Sequence, residues 1–291
     1  MKVRGTLVAA FGRRYEVALD DGRTISGVPL GKKSPYACGD RVDIELRAAD
    51  QNQGQIVGHA PRTSLLYRSD AYRQKLIAAN ATQLVLVVAT EPGFSGELLS
   101  RALVAAEHDG LRTLIVLNKS DLPAALPAAR AALAPFATLG YPIVELSAKH
   151  DAAPLRPYLD GQLSVLVGQS GMGKSTLINA LAPGAAAATR EISSALDSGK
   201  HTTTHARLYQ LDAESAIIDS PGLQEFGLAH LNRGEIEMGF REFRPLLTQC
   251  RFRDCRHETE PGCAIRGAIA AGQIHPRRLE HFLRIATALG C

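Results

Sequence analysis

The densest chemistry in the chain lies in Gly168-Gln169-Ser170-Gly171-Met172-Gly173-Lys174-Ser175-Thr176. This run fits G-x-x-x-x-G-K-[ST], with the apolar residues Leu163, Val165, Leu166 and Val167 ahead of it and the helix-spaced Leu177, Ile178 and Leu181 behind. A strand, a glycine-rich turn and a helix N-terminus make a cradle for polyphosphate. Glycines let the backbone N–H groups turn inward, and the start of the helix adds partial positive charge. Lys174 is expected to reach the β- and γ-phosphates as both a binding and a catalytic group, and the Ser175 hydroxyl to ligate Mg²⁺.

Four further clusters complete a nucleotide chemistry. Asn118-Lys119-Ser120-Asp121 follows a predicted strand. The Asp121 carboxylate can accept from guanine N1–H and the 2-amino group, which adenine cannot offer. Asn118 is expected to brace the loops and the Lys119 stem to cover the base. After the next strand come Ser147, Ala148 and Lys149, whose backbone N–H groups could meet guanine O6. The stretch Gly199 to His205 offers threonine hydroxyls for Mg²⁺ and the γ-phosphate, with Thr203 preferred to Thr202 and Thr204. In Asp219-Ser220-Pro221-Gly222, Asp219 is placed to hold the Mg²⁺ shell through water and the Gly222 N–H to sense the γ-phosphate.

These residues need elements to position them. Among 291 residues, 45% are apolar, enough for about two domains and a small third. Residues 1–62 read as five short strands around the turn Asp20-Asp21-Gly22, suiting a small closed barrel of OB or SH3 type. Arg13, Arg14, Lys32, Lys33 and Arg41 mark a candidate RNA-facing rim on it. Residues 63–80 read as a linker turning into a short helix. Residues 81–232 alternate buried strands with helical spacing, as in a mainly parallel sheet with ligands at the carboxyl ends of its strands. Residues 233–291 end in an amphipathic helix from Arg277 to Ala288 that reads as a packing element, with Arg277, Arg278 and Arg284 as a lesser candidate set for RNA contact.

Net charge is only +4, so total charge does not argue for a nucleic-acid partner. No apolar run approaches the roughly 18 residues of a membrane span, and Arg13 and Arg14 interrupt any signal-peptide core, so a soluble, cytoplasmic protein is expected, and separately a monomer. Of five cysteines, Cys250, Cys255 and Cys263 cluster while Cys38 and Cys291 stand alone, a pattern that favours a metal over disulfides. Cys38 reads as a barrel-core residue and Cys291 as a frayed terminus.

The motif order is NKSD, SAK, GQSGMGKST, HTTTH, DSPG. An ordinary small GTPase begins at the phosphate loop and finishes with the guanine-reading motifs, so this chain looks like a circularly permuted GTPase. With a barrel in front and cysteines behind, it closely resembles the ribosome small-subunit-dependent GTPase A family (RsgA, also called YjeQ) over essentially its whole length. The resemblance implies an OB barrel, a permuted P-loop GTPase core and a mainly α zinc domain. It also implies binding of GTP and GDP, of the 30S subunit and 16S rRNA, and a role in late 30S maturation. Three thiols and an imidazole, Cys250, Cys255, His257 and Cys263, suit one structural Zn²⁺. Arg251, Arg253, Arg256 and Arg266 interleave with them as a basic surface for RNA phosphates.

One departure bears on mechanism. Leu223 stands where many GTPases place a water-orienting Gln, so isolated hydrolysis should be slow, with His230 as the candidate water-positioning group and Gln224 its rival. Because DSPG leads straight toward the cysteine-rich segment, γ-phosphate contacts there could bias that segment's orientation. Two other readings stay open, an RNA-binding scaffold with GTP as a structural ligand and a GTPase acting on another RNA such as tRNA.

Overall fold

Period-two burial builds the first module. Tyr15, Val17 and Leu19 of β2 (Arg14–Leu19) face inward with Leu7 of β1 (Lys2–Phe11), Ile25 of β3 (Thr24–Pro29), Val42 and Ile44 of β4 (Arg41–Arg47) and Ile56 of β5 (Asp50–His59). Antiparallel pairing of β1 with β4 closes the five strands, and β3 runs parallel to β5. Among the described residues this closure pairs both edges of the five-stranded barrel. The structure, a computed structural model, describes residues 1–31, 35–48, 50–70, 73–183, 206–220 and 227–290. Lys32, Lys33, Thr203, Gly222, Leu223, Gln224 and Cys291 therefore lie outside the described residues. On the expected basic rim, Arg41 is paired with Asp20 at 2.8 Å and Arg13 donates to the Gly31 carbonyl at 2.6 Å.

The segment expected to become a helix is instead an antiparallel hairpin, β6 (Leu65–Asp70) with β7 (Arg73–Ala79). Its apolar residues Leu66, Ile77 and Ala78 find a core on the nucleotide-binding side, and that core, rather than local propensity, selects the strand. Cys38 is buried in the same cluster and bridges to Ala78, so it is not a barrel-core residue.

A parallel sheet follows in the order β10 (Ile143–Glu145), β9 (Arg112–Asn118), β8 (Gln83–Ala89), β11 (Leu163–Val167) and β13 (Ala216–Asp219), with β12 (Arg207–Gln210) antiparallel at its edge. All seven residues of β8 are buried, as befits a strand covered on both faces. One face packs on α1 (Gly96–His108) and the other on α3 (Arg156–Leu159) and α4 (Lys174–Leu181). The helix α2 (Leu126–Ala137) starts with a proline in its first turn and contributes Leu133 and Phe136 to the α1 side. At its far edge β12 pairs with β1 through Ala9 and Arg207, so barrel and parallel sheet are one continuous eleven-stranded sheet among the described residues.

The last segment is mainly helical: α5 (Arg233–Met238), α6 (Ala264–Ala270) and α7 (Pro276–Ala288). Phe240, Phe243 and Phe282 stack at its centre, with ring centroids 4.9 to 5.6 Å apart. It docks on α1 through Arg278, whose guanidinium donates to Glu242 at 2.5 Å and to the Ser100 hydroxyl at 2.7 Å while covering the Phe136 and Phe240 rings. Arg278 is 2% exposed. It is thus a docking residue, not a candidate for RNA contact. The Glu242 carboxylate and the Ser100 hydroxyl offset the cost of burying a guanidinium there.

Candidate functional site

The central strand β11 delivers the glycine-rich turn to the carboxyl edge of the sheet. A Cβ on Gly168 would sit 2.2 Å from the Val87 carbonyl oxygen, and one on Gly173, at φ +89°, 2.2 Å from Asn118 Nδ2. Only glycine permits both approaches. Helix α4 starts at Lys174 and leaves Ser175 and Thr176 exposed on its first turn, with Ser170 exposed in the loop and Met172 buried beneath it. Lys174 Nζ donates to the carbonyls of Gly168 at 2.5 Å and Gln169 at 3.2 Å. Burial holds its ammonium below the usual lysine range, and the charge of Asp219 opposes that shift. Asp219 is buried at the end of β13, level with Leu166 of β11. The Gln169 side chain accepts from the Ser95 N–H at 3.0 Å, tying the loop to the N-cap of α1.

The guanine-reading candidates arrive from β9 and β10. Asn118 is 2% exposed; its amide donates to the Met172 carbonyl at 2.9 Å and its Oδ1 accepts the Ala148 N–H at 2.9 Å. One side chain therefore staples three loops together. Lys119 takes a left-handed φ of +60° and extends its stem so that Nζ donates to the Glu91 carbonyl at 2.6 Å. The Ser120 N–H donates to the Leu146 carbonyl. Asp121 is exposed; a hydrogen bond from Ser147 is the main cause holding its carboxyl below the ordinary range, and His150 Nε2 lies 3.5 Å away. Lys149 is exposed beside it. The Ala148 N–H, expected to be open to guanine, is committed to Asn118 here.

His230 is not brought to the phosphate loop. It packs against Tyr67 and His108, with ring centroids at 5.2 and 5.6 Å. His108 ends α1, a helix roughly 20 Å long whose other end holds Gln169. Burial and the neighbouring His108 push the His230 imidazole below its usual range.

The four metal candidates do converge. The ligand atoms of Cys250, Cys255, His257 and Cys263 all lie within 4.8 Å of one another. His257 Nδ1 is 3.3 Å from the Cys263 sulfur and 3.7 Å from the Cys250 sulfur. A tetrahedral Zn²⁺ with ordinary bond lengths would set nitrogen and sulfur about 3.6 Å apart, so the set fits a metal of that size. Burial, with help from the neighbouring thiols, pushes Cys255 up to about 12. A cation is what would reverse that cost. Around the cluster, Arg251, Arg253, Arg256 and Arg266 are exposed.

Sequence reasoning missed Glu107, which accepts from Arg241 and Arg244 at 2.6 Å each and from the Tyr141 hydroxyl at 3.1 Å. Its partners lie far along the chain, and no local spacing signals them.

The RsgA GTPase family model matches residues 59–229 of the chain. The chain belongs to the RsgA GTPase family. Two relatives named small ribosomal subunit biogenesis GTPase RsgA bear this out over nearly the whole length. That of Nitrosospira multiformis is 53% identical over 99% of this chain and 91% of its own, and that of Burkholderia pseudomallei 56% identical over 95% and 89%. The crystal structure of YjeQ from Thermotoga maritima superposes with a TM-score of 0.73 at 29% identity, covering 99% of both chains. YloQ, a circularly permuted GTPase, shares the fold with a TM-score of 0.71 at 24% identity. As an RsgA-family GTPase the chain hydrolyses GTP; a closed five-stranded barrel precedes its GTPase domain, and a Cys/His cluster fit to hold a metal follows it.

Proposed function

We propose that this chain binds the small ribosomal subunit through its 16S rRNA, acts late in the maturation of the 30S particle, and hydrolyses GTP faster when bound to it. The names of its relatives support the particle. The observation that supports the nucleotide half is the Asn118 staple, which ties the loop carrying Asp121 to the glycine-rich loop leading into Lys174, far away in sequence, as one nucleotide pocket would require.

In that pocket Asp121 would accept from the guanine edge, Ser120 would shape the turn, Lys119 would cover the base, and the 147–149 loop would meet O6 with the N–H groups that Asn118 leaves over. The N–H groups of 168–176 would wrap the phosphates, and Lys174 would leave its loop carbonyls for the β- and γ-phosphates, where its charge offsets the charge that builds during transfer. Mg²⁺, held by Ser175, Thr203 and, through water, Asp219, would neutralise charge between those phosphates. The Gly222 N–H would sense the γ-phosphate. With Leu223 read as standing in the usual Gln position, His230 and its rival Gln224 are the candidates to position water, and His230 would have to move away from His108 and Tyr67 to do so. Zn²⁺ suits the three-thiol, one-imidazole set as a structural ion, and the arginines around it suit RNA phosphate. No helix among the described residues is long and apolar enough to cross a membrane, and a cytoplasmic monomer fits these roles.

A second reading, a GTP-dependent RNA scaffold, draws support from the distance of His230 from the phosphate loop. Phosphate release from GTP and from ATP, with and without purified 30S subunits, separates them. Release from GTP alone, raised by 30S, is the expected result; equal release with and without the particle favours the scaffold.

A further inference from the structure

His257 is the metal candidate with the most demanding placement. Its backbone is left-handed, at φ +63°, its ring lies between Phe243 and Phe282, and the residue is 2% exposed. Nδ1 faces the thiols of Cys250 and Cys263, which leaves Nε2 pointing the other way into protein. There it is fully buried and makes no hydrogen bond within the usual limits among the described residues. The group facing it is the Glu237 carboxylate, with Oε1 3.5 Å from Nε2. Glu237 stands on α5 and is held by Arg233 one turn earlier, 3.4 Å from the same oxygen. Arg233 in turn donates to the carbonyl of Arg256 and lies over the Phe282 ring. Helix α5 thus grips the metal loop at two consecutive residues, 256 and 257.

We propose that Glu237 is the positioning residue of the metal centre. By accepting from Nε2–H it fixes the proton there, keeps Nδ1 as the metal-ligating nitrogen and holds the ring at the correct angle. A carboxylate on the far nitrogen of a ligating histidine orients the ring and raises its basicity. Metal affinity and the seating of α5 on the metal loop are thereby one linked equilibrium, and each strengthens the other. The inference rests on the reading of the Cys/His set as a zinc site.

Chelator competition on the full-length protein loaded with Zn²⁺ tests it. E237A should lose roughly 10–100-fold in Zn²⁺ affinity, whereas E237Q, whose amide oxygen can still accept from Nε2–H, should keep most of it. Co²⁺ substitution gives a second readout, since E237A should shift the visible absorption of the bound ion and E237Q should shift it less. In a His257→Cys background, where no imidazole remains to orient, adding E237A should cost no further affinity, which separates positioning from a general loss of helix stability. Equal Zn²⁺ affinity and Co²⁺ spectra for wild type and E237A would overturn the proposal, as would the full E237A loss persisting in the His257→Cys background. Failure of the wild-type protein to bind Zn²⁺ would instead defeat the zinc reading beneath it.

Discussion

The side-chain amide of Asn118 lies 2.9 Å from the carbonyl oxygen of Met172, across 54 positions of sequence, and fastens the 118–121 loop to the glycine-rich turn after β11. Replacing Asn118 with Ala strands the buried Met172 carbonyl and the Ala148 N–H together. Each unsatisfied group costs about 1–3 kcal/mol. Asn118→Ala should therefore weaken GDP binding by at least tenfold in calorimetric titration and lower the melting temperature of the nucleotide-free protein, because the staple holds without ligand.

Asp121 should set the base. Its carboxylate offers acceptors where guanine offers two donors, and an amide at the same place offers one donor and one acceptor, the match for xanthine. Asp121→Asn should lower GTP affinity and raise that for XTP in competition binding with a fluorescent nucleotide. Unchanged preference for GTP would remove Asp121 from the base-reading role.

His281 on α7 predicts a pH dependence of stability. Burial, reinforced by the nearby charges of Arg278, Arg284 and Arg277, pushes its imidazole from 6.5 down to about 4. From the other elements packed against it come the Ser100 hydroxyl, 2.9 Å from Nδ1, and the edge of Gly96. A histidine lowered in the fold is neutral there while the unfolded chain takes up a proton, so stability is complete above about pH 6.5 and falls as the pH drops toward 4. Denaturant melts at pH 7 and pH 5 should show the loss, and His281→Gln should flatten it.

His230 is the candidate water-positioning group that must travel. His230→Ala should lower 30S-stimulated GTP turnover by about 10²-fold, the scale of one lost general base. Unchanged stimulated turnover would hand the role to another residue.

Much of this was legible in the chain because the decisive motifs are local. Three glycines and Lys174 fall within nine residues directly after a strand, and the two loops at 118–121 and 147–149 each follow a β-rich run. The misreadings share one physical origin, a partner distant in sequence. The hairpin at Leu65–Ala79 looked helical because nothing local shows that Leu66 and Ile77 meet the same core. Arg278 looked solvent-facing because Glu242, which neutralises it, is 36 residues away, and Ser100 is 178 residues away. Glu107 and Glu237 act on residues of other elements and leave no periodic trace.

The antiparallel contact of Ala9 with Arg207, with the Arg207 guanidinium 2.9 Å from Glu16, gives the barrel a hold on β12. That strand follows the threonine-rich segment in the chain, and its first residue, Arg207, pairs with Asp219 at the end of β13. A ribbon shared by two modules transmits load: whatever the barrel grasps would pull on the strand whose first residue sits beside Asp219, the residue expected to hold the Mg²⁺ shell.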